Sequence, residues 1–534
     1  MIRAQSLLAS TAIATACILG SFAAAAQDRK ETLLVVYAGG INSMDIHGVG
    51  TTFESYIASW NTYDRLLTFA RKTLPDGTLS YDYTKIVPEL AESYDVSADQ
   101  KSVTFKLKKD AKFHDGTPIT AADVKWSYDR AVSVGGFPTF QLSTGSMTKP
   151  EQFVVVDPHT FRIDLPERNK LSLPNMAVPV PVVLNSKLAK QHATEKDPWA
   201  LEWMKANVAA GGAYKLERWT PGQELILARN DDWKNGPLPK LKRIIVRDVP
   251  AAGNRRALME RGDADVSLNV PPKDAAEIRA EGKYLVVGVP VENALEYVGF
   301  AVTKPPFDNK KVRQAIAWAI PFDQINEQAM FGRMVKMHGA NPDAAIEPVW
   351  PQPFPYNQDL AKAKQLLADA GFPNGFETTI TINMATAQTS EPIAVLLQQS
   401  LAQIGVKTTI EKVPGANFRN VMLKKESPIH IASFGGWLNY PDYWFFWGYH
   451  SQNGVFNTMS YQNPAMDKPI DVARFAVDKK VYDDAVVEFI RMSIEEVPRV
   501  PLWQPILDVG MQKNIKGYTY WFHRQIDFRQ LEKQ

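Results

Sequence analysis

The stretch Trp437–Tyr449 combines the residue types best suited to holding a small molecule. It reads WLNYPDYWFFWGY and follows Ile429–Phe434, an apolar run with the pattern of a β-strand. Aromatic rings bury large areas, and polar tips beside them orient a ligand. In α/β proteins, ligands bind beyond the carboxyl ends of the strands. The later aromatic residues of this stretch are farther from the strand and are predicted to lie in the hydrophobic core. We therefore predict ligand contacts for the residues nearest the strand that suit this role: Trp437, Asn439, Tyr440 and Asp442.

The remaining reactive side chains match no catalytic or metal-binding pattern. The eight histidines are scattered without zinc spacing. A Gly-rich phosphate loop, a G-x-S-x-G elbow and an H-E-x-x-H pair are all missing from the sequence. We predict no cofactor, no metal and no enzymatic activity. Two alternatives stay open: a secreted hydrolase with paired carboxylates, and a metal-chelate ligand held partly by His430 and His450, while His114 is interpreted as structural.

Positions before this stretch show clear local structure. Ser102–Lys108 alternates apolar and polar side chains, which predicts a half-buried antiparallel strand. Thr120 follows a turn and is predicted to cap a helix, with Asp123 three residues later. Leu33–Tyr37 reads as an apolar strand, and Ser55–Phe69 as a helix.

The second half of the chain alternates strands with helices. Asp359–Ala370 is a predicted amphipathic helix and Ser390–Ile404 a predicted helix, and each is followed by a glycine. Thr378–Ile382, Val406–Val413 and Ile429–Phe434 are predicted strands. This alternation predicts parallel βαβ units and an α/β fold.

The amino terminus has the pattern of an export signal. Arg3 precedes the apolar run Leu7–Phe22, and Ala24-Ala25-Ala26 fits cleavage after Ala26. Cys17, the single cysteine, raises the alternative of a lipoprotein anchor. Lys+Arg (60) and Asp+Glu (58) nearly balance, which argues against a nucleic-acid or membrane-surface binder.

Two motifs carry a resemblance to a known family. Leu90-Ala91-Glu92-Ser93 is followed by Phe113–Val124, which reads FHDGTPITAADV, and PPFD with VRQAI stands within Pro305–Ile320. These runs resemble the signatures of ABC-importer periplasmic solute-binding proteins of family 5, the dipeptide and oligopeptide type.

The resemblance implies a two-lobed periplasmic-binding-protein fold with a hinge. Residues 1–26 are the predicted signal peptide, and 27–290 form lobe one with a subdomain inserted at about 56–185. Residues 291–497 form lobe two, and 498–534 return to lobe one. The hinge crossings are expected near Val289–Glu292 and Val497–Pro501.

The resemblance also implies a role in transport. The protein is expected to be a periplasmic monomer that captures a small polar solute, with peptide as the leading candidate, for ABC permease and ATPase subunits. Family members that bind peptides pair an Asp with the peptide ammonium, and Asn439 stands at that position here. The change weakens the peptide interpretation and leaves a sugar, an opine-like conjugate or a metal chelate open. Asn42, in the turn after the first strand, completes the predicted ligand-binding residues.

Overall fold

The computed structural model describes residues 29–534 except Asn453 and Val455. The predicted signal peptide and Cys17 therefore lie outside the described residues. Among the residues that are described, no helix combines the length and the apolar character needed to cross a membrane.

A sheet of twelve strands runs through the molecule, and one long strand joins its two halves. The strand Arg499–Met511 pairs at Arg499–Trp503 with Ala294–Phe300, and at Ile506–Met511 with Leu285–Pro290. The chain passes between these two pairing strands at Val291–Asn293. The architecture is the two-lobed α/β fold, and the exact lobe boundaries given above stay predictions. The strands are β1 Thr32–Tyr37, β2 Leu67–Thr73, β3 Leu79–Pro88, β4 Ala91–Val96, β5 Ser102–Leu107, β6 Phe153–Asp157, β7 Thr160–Asp164, β8 Tyr214–Thr220, β9 Glu224–Arg229, β10 Arg243–Asp248, β11 Val266–Ser267, β12 Leu285–Pro290, β13 Ala294–Phe300, β14 Met334–Lys336, β15 Glu377–Asn383, β16 Lys407–Val413, β17 Ile429–Gly435, β18 Arg499–Met511, β19 Ile515–Lys516, β20 Thr519–Tyr520 and β21 Glu532–Lys533.

Helices cover the sheets and follow several strands directly. β15 pairs in parallel with both β16 and β17, which confirms the predicted parallel units. The helices are α1 Tyr56–Thr62, α2 Ala121–Ser133, α3 Phe137–Ser143, α4 Ser186–Gln191, α5 Leu201–Met204, α6 Ala252–Glu260, α7 Pro272–Glu281, α8 Lys310–Ala319, α9 Phe322–Gln324, α10 Leu360–Asp369, α11 Ala387–Ala402, α12 Gly415–Lys424, α13 Pro441–Gly448, α14 Pro464–Phe475 and α15 Lys479–Glu496.

The motif-bearing stretch folds as its local pattern predicts. β5 is the second strand of a four-stranded antiparallel sheet of order β4-β5-β7-β6. Thr120 caps α2, and its backbone N–H donates to Asp123 Oδ2 at 3.0 Å, which closes a capping box. Val124 and Tyr128 turn inward from α2 and are fully buried.

Two local predictions are wrong. The helix predicted over Ser55–Phe69 ends at Thr62, and β2 begins at Leu67, where pairing with β3 overrides the helical spacing. The second concerns the cap of α8: Asp308, which ends the PPFD run, is predicted from the sequence to cap this helix, but the cap is the next residue, Asn309, whose side chain accepts from Lys311 N–H. Both residue types cap helices well, so sequence alone does not separate them.

Candidate functional site

A cavity of about 320 Å³ lies where segments from distant parts of the chain meet. Its walls are mostly aromatic rings and glycines, with two arginines. The lining residues are Gly48, Val49, Gly50, Thr51, Phe53, Tyr56, Gly135, Gly136, Phe137, Phe140, Arg419, Phe434, Gly435, Gly436, Trp437, Tyr443, Trp447, Phe456 and Arg524.

Trp437 stands in the cavity wall between two rings from the other part of the chain. Its centroid lies 5.0 Å from that of Tyr56 and 4.8 Å from that of Phe137, with interplanar angles of 87° and 80°. Both contacts have the edge-to-face geometry that aromatic pairs prefer. Only 6% of Trp437 remains exposed. The residue therefore joins predicted lobe two to predicted lobe one.

Helix α13 carries the later aromatic residues of the predicted site. The Tyr443 hydroxyl donates to Gln141 Oε1 at 2.7 Å and makes a second connection across the cleft. Phe445 is fully buried, as predicted, and Trp447 is buried while bordering the cavity. Phe446 is half-buried beneath the Arg474 guanidinium, 3.8 Å from the ring centroid.

Glycines let two backbone segments approach closely at the cavity rim. A Cβ on Gly136 would lie 2.3 Å from the carbonyl oxygen of His47, so no larger residue fits without movement. Asn42 stabilises the rim segment that contains Gly50. Its Nδ2 donates to Gly50 O at 3.0 Å, and its Oδ1 accepts from Thr52 N–H at 2.9 Å. Asn42 does not border the cavity itself.

The other three predicted ligand residues also lie outside the cavity lining. Asn439 and Tyr440 are half-buried in the loop before α13. Burial, with Asp442 and Tyr83 nearby, raises the pKa of Tyr440. Asp442 is fully buried, where its Oδ1 lies 3.1 Å from Lys170 Nζ and accepts the Tyr482 hydroxyl at 3.0 Å. The ligand roles of these residues stay predictions.

Sequence reasoning missed the two arginines of the lining. Arg419 lies on α12, and Arg524 lies near the carboxyl terminus. The Arg524 guanidinium stands 4.8 Å from the Phe53 ring centroid and makes no ion pair within the described part of the chain. No pattern marks either residue, because only the folded chain brings them to one cavity.

Two carboxyl groups act to raise the pKa of Arg524, against the effect of burial, without forming an ion pair with it. Burial raises the pKa of Glu296 to about 7, and Arg524 opposes that shift. Burial likewise raises the pKa of Glu54, against a backbone hydrogen bond and Arg524. Burial lowers the pKa of Arg524, although part of its surface opens into the cleft.

The histidines considered for ligation are engaged elsewhere. His430 Nε2 lies 3.0 Å from Thr458 Oγ1, His450 Nε2 lies 3.4 Å from Asp471 Oδ2, and His114 Nε2 lies 3.1 Å from Gly212 O. Burial lowers the pKa of His430 to about 3 and of His114 to about 4. Over the described residues, no group of three or more His, Cys, Asp and Glu side chains has a metal-binding arrangement.

Comparison with known sequences identifies relatives over most of the chain. The profile for "Bacterial extracellular solute-binding proteins, family 5 Middle" matches residues 85–456. The chain is 31% identical over 457 residues to the glutathione-binding protein GsiB of Pectobacterium atrosepticum, covering 82% of this chain and 84% of that protein. It is 27% identical over 500 residues to the probable D,D-dipeptide-binding periplasmic protein DdpA of Escherichia coli K12, covering 92% of each.

Solved structures have the same fold. The periplasmic binding protein DppA of Helicobacter pylori, in complex with the peptide STSA, superposes with a TM-score of 0.78 at 25% identity, covering 95% of this chain and 99% of that one. AgaA of A. tumefaciens R10, in complex with agropinic acid, superposes with a TM-score of 0.75 at 25% identity, covering 94% and 99%.

Proposed function

The chain belongs to the bacterial extracellular solute-binding proteins of family 5, and on that premise we propose that it captures a small solute in the cavity for an ABC importer. The observation that carries the proposal is the position of Trp437, which lies between Tyr56 and Phe137 at the edge of that cavity. A ligand in contact with these walls touches both predicted lobes. Binding energy then favours the closed form over an open one.

Peptides lead as the solute class. GsiB is named for glutathione and DdpA for D,D-dipeptides, and the DppA structure contains a bound peptide. A cavity of about 320 Å³ is at the small end of the range for small-molecule sites, roughly 300–1,000 Å³. This size favours a compound of two or three residues over a long peptide.

An opine-like conjugate is the second candidate. AgaA, whose structure contains agropinic acid, is as similar in sequence as the peptide-bound DppA. Asn439 also supports a departure from peptides, because an amide cannot supply the negative charge that pairs with an ammonium group.

Trp437 is assigned the central role in the proposed site, and the other predicted residues act around it. Asn42 positions the rim segment that contains Gly50. Asn439 and Tyr440 lie in the loop that links Trp437 to α13. Asp442 acts through contact between the lobes, since Lys170 and Tyr482 occupy its Oδ1.

The proposed cellular role follows the family. The protein works in the periplasm after cleavage of its signal peptide, as a monomer without nucleic acid or cofactor. The loaded, closed form docks on a membrane permease that cytoplasmic ATPase subunits drive. It returns its ligand chemically unchanged.

Native mass spectrometry of protein purified from a periplasm without refolding tests the proposal. A spread of bound masses matching short peptides supports peptide capture. A single non-peptide mass supports the conjugate instead. If no cargo is retained and a dipeptide pool gives no binding heat, solute capture at this cavity is contradicted.

A further inference from the structure

We propose that the captured ligand is an acid whose anionic group is bound by Arg419 and Arg524. The inference rests on the proposed function and specifies its ligand class. Under the predicted boundaries, Arg419 comes from lobe two and Arg524 from the carboxyl-terminal segment that returns to lobe one. An anion bound by both arginines stabilises closure directly.

The two arginines are the unneutralised charges of the cavity wall. The lining contains no Asp or Glu among the described residues. Neither Arg419 nor Arg524 has a side-chain hydrogen bond or an ion pair with any residue that the structure describes. Two buried arginines of predicted lobe one are paired, by contrast: Arg130 lies 2.6 Å from Asp45, and Arg65 lies 2.8 Å from Glu89.

The nearest carboxyl groups are poor counterions for Arg524. Glu296 and Glu54 both act to raise the pKa of Arg524 against the effect of burial, but neither carboxylate lies within 4.0 Å of the guanidinium, the distance of an ion pair. Burial raises the pKa of both groups, and that of Glu296 reaches about 7. Protonation of Glu296 as the pH falls through that value weakens its attraction for the guanidinium. Arg524 therefore keeps its donors for a group that enters the cavity.

The chemistry of the lining defines the ligand more closely. A guanidinium presents five N–H donors in a planar fork that matches a carboxylate. The aromatic side chains Phe53, Phe137, Trp437 and Trp447 suit an apolar or flat portion of the same molecule. For an ammonium group, the described lining offers two positive charges and no carboxylate. The cavity therefore fits an acid with an apolar body and does not require a free amine.

The test uses the full mature chain and three variants. Arg524→Gln and Arg419→Gln remove the charges, and Arg261→Gln removes an exposed arginine outside the lining as the control. Each protein is isolated from the periplasm, and its retained cargo is identified by native mass spectrometry. Three probes are then titrated: Phe-Leu, its N-acetyl form and its carboxamide. Circular dichroism verifies that each variant is folded.

The expected cargo contains a carboxyl or another acid group. Affinity for the cargo should fall about tenfold to a hundredfold in each cavity variant and stay unchanged in Arg261→Gln, since hydrogen bonds to charged groups have that strength. The N-acetyl probe should bind at least as well as Phe-Leu, and the carboxamide at least tenfold more weakly. Arg524→Lys should recover only part of the loss, because lysine lacks the fork.

Other results separate the two proposals. Three results would overturn the acid-ligand inference and leave solute capture standing. They are a cargo without an acid group, affinities of the cavity variants equal to that of the wild type, and preference for the carboxamide probe. Absence of cargo together with no binding of any probe would overturn solute capture, and the ligand class with it.

Discussion

The ammonium group of Lys170 lies 3.1 Å from the carboxylate oxygen Oδ1 of Asp442 and connects the predicted inserted subdomain to predicted lobe two. Lys170 also donates to Ala473 O at 2.6 Å and stands 3.7 Å from the Tyr482 ring centroid. Burial lowers the pKa of Lys170, and Asp442 opposes that shift. All three contacts form only when the two parts of the chain are together.

Removing Lys170 should therefore favour the open form. Lys170→Met should weaken ligand affinity roughly 5- to 30-fold without touching the cavity, because about 1–2 kcal/mol of contact energy is lost on closure. Ligand titration and small-angle X-ray scattering of the free protein measure the affinity and the radius of gyration. Lys205→Met, which removes an exposed ion pair with Glu202, is the control. An unchanged radius and affinity would exclude Lys170 from the control of closure.

Asp442 should destabilise the folded protein when Lys170 is replaced. The group is fully buried, and its Oδ2 has no hydrogen-bond partner in the described structure. A buried charge without a partner is costly, so Asp442→Asn should restore part of the stability that Lys170→Met removes. Urea unfolding of both single variants and the double variant measures this coupling. Simple additivity would mean that the two groups do not interact in solution.

Trp437 should contribute binding energy through its aromatic contacts. Trp437→Ala should reduce ligand affinity about tenfold to a hundredfold, because two edge-to-face contacts and a large apolar area are lost. The free energy of unfolding should change less. Isothermal titration measures the affinity, and Trp203→Ala, which removes a ring stacked on His192 away from the cavity, is the control. If Trp437→Ala and Trp203→Ala bound the ligand with the same affinity, Trp437 would not be part of the binding site.

Gly136 should tolerate no side chain. Gly136→Ala places a Cβ 2.3 Å from the His47 carbonyl oxygen, and relieving such a clash costs about 1–3 kcal/mol. Gly253→Ala is the matched control in α6, where nothing lies within 4 Å of the added Cβ and a gain of roughly 0.5–1 kcal/mol is expected. Urea unfolding compares the two variants. A Gly136→Ala protein as stable as the wild type would show that the rim has another low-energy arrangement.

Glu296 should make stability fall as the pH rises. Its pKa is about 7 in the folded protein, against 4.5 for the unperturbed group. Between these values the folded state binds the proton that the unfolded state has released, so the free energy of unfolding decreases from pH 4.5 upward and levels off above pH 7. The loss is about 3 kcal/mol as an upper bound.

Glu296→Gln should remove this part of the pH dependence. The variant should gain stability at pH 8 relative to the wild type and gain little at pH 5. Urea unfolding at both pH values measures the difference, with the exposed Glu195→Gln as control. The same gain at both pH values would show that the carboxyl group does not titrate as described.

Local chemistry and short-range pattern determined much of the fold. Thr120 and Asp123 form their capping box because the partners are three residues apart, and β15 to β17 pair in parallel because helices separate them. Such features depend on neighbours along the chain. The boundary at Thr62 was missed because β2 is set by its pairing with β3, which no local pattern contains.

The sequence by itself determined the family and the two-lobed α/β class, and it predicted Trp437 as a ligand contact, a residue that the structure places in the cavity wall. Only the tertiary structure decided which polar groups face the cavity. Asp442 is directed to Lys170, more than 250 residues away in the chain, and Arg524 reaches the same cavity as Gly48. Burial and Coulomb interactions act through space, so the charge of a binding site depends on long-range packing, which residue types and spacing do not specify.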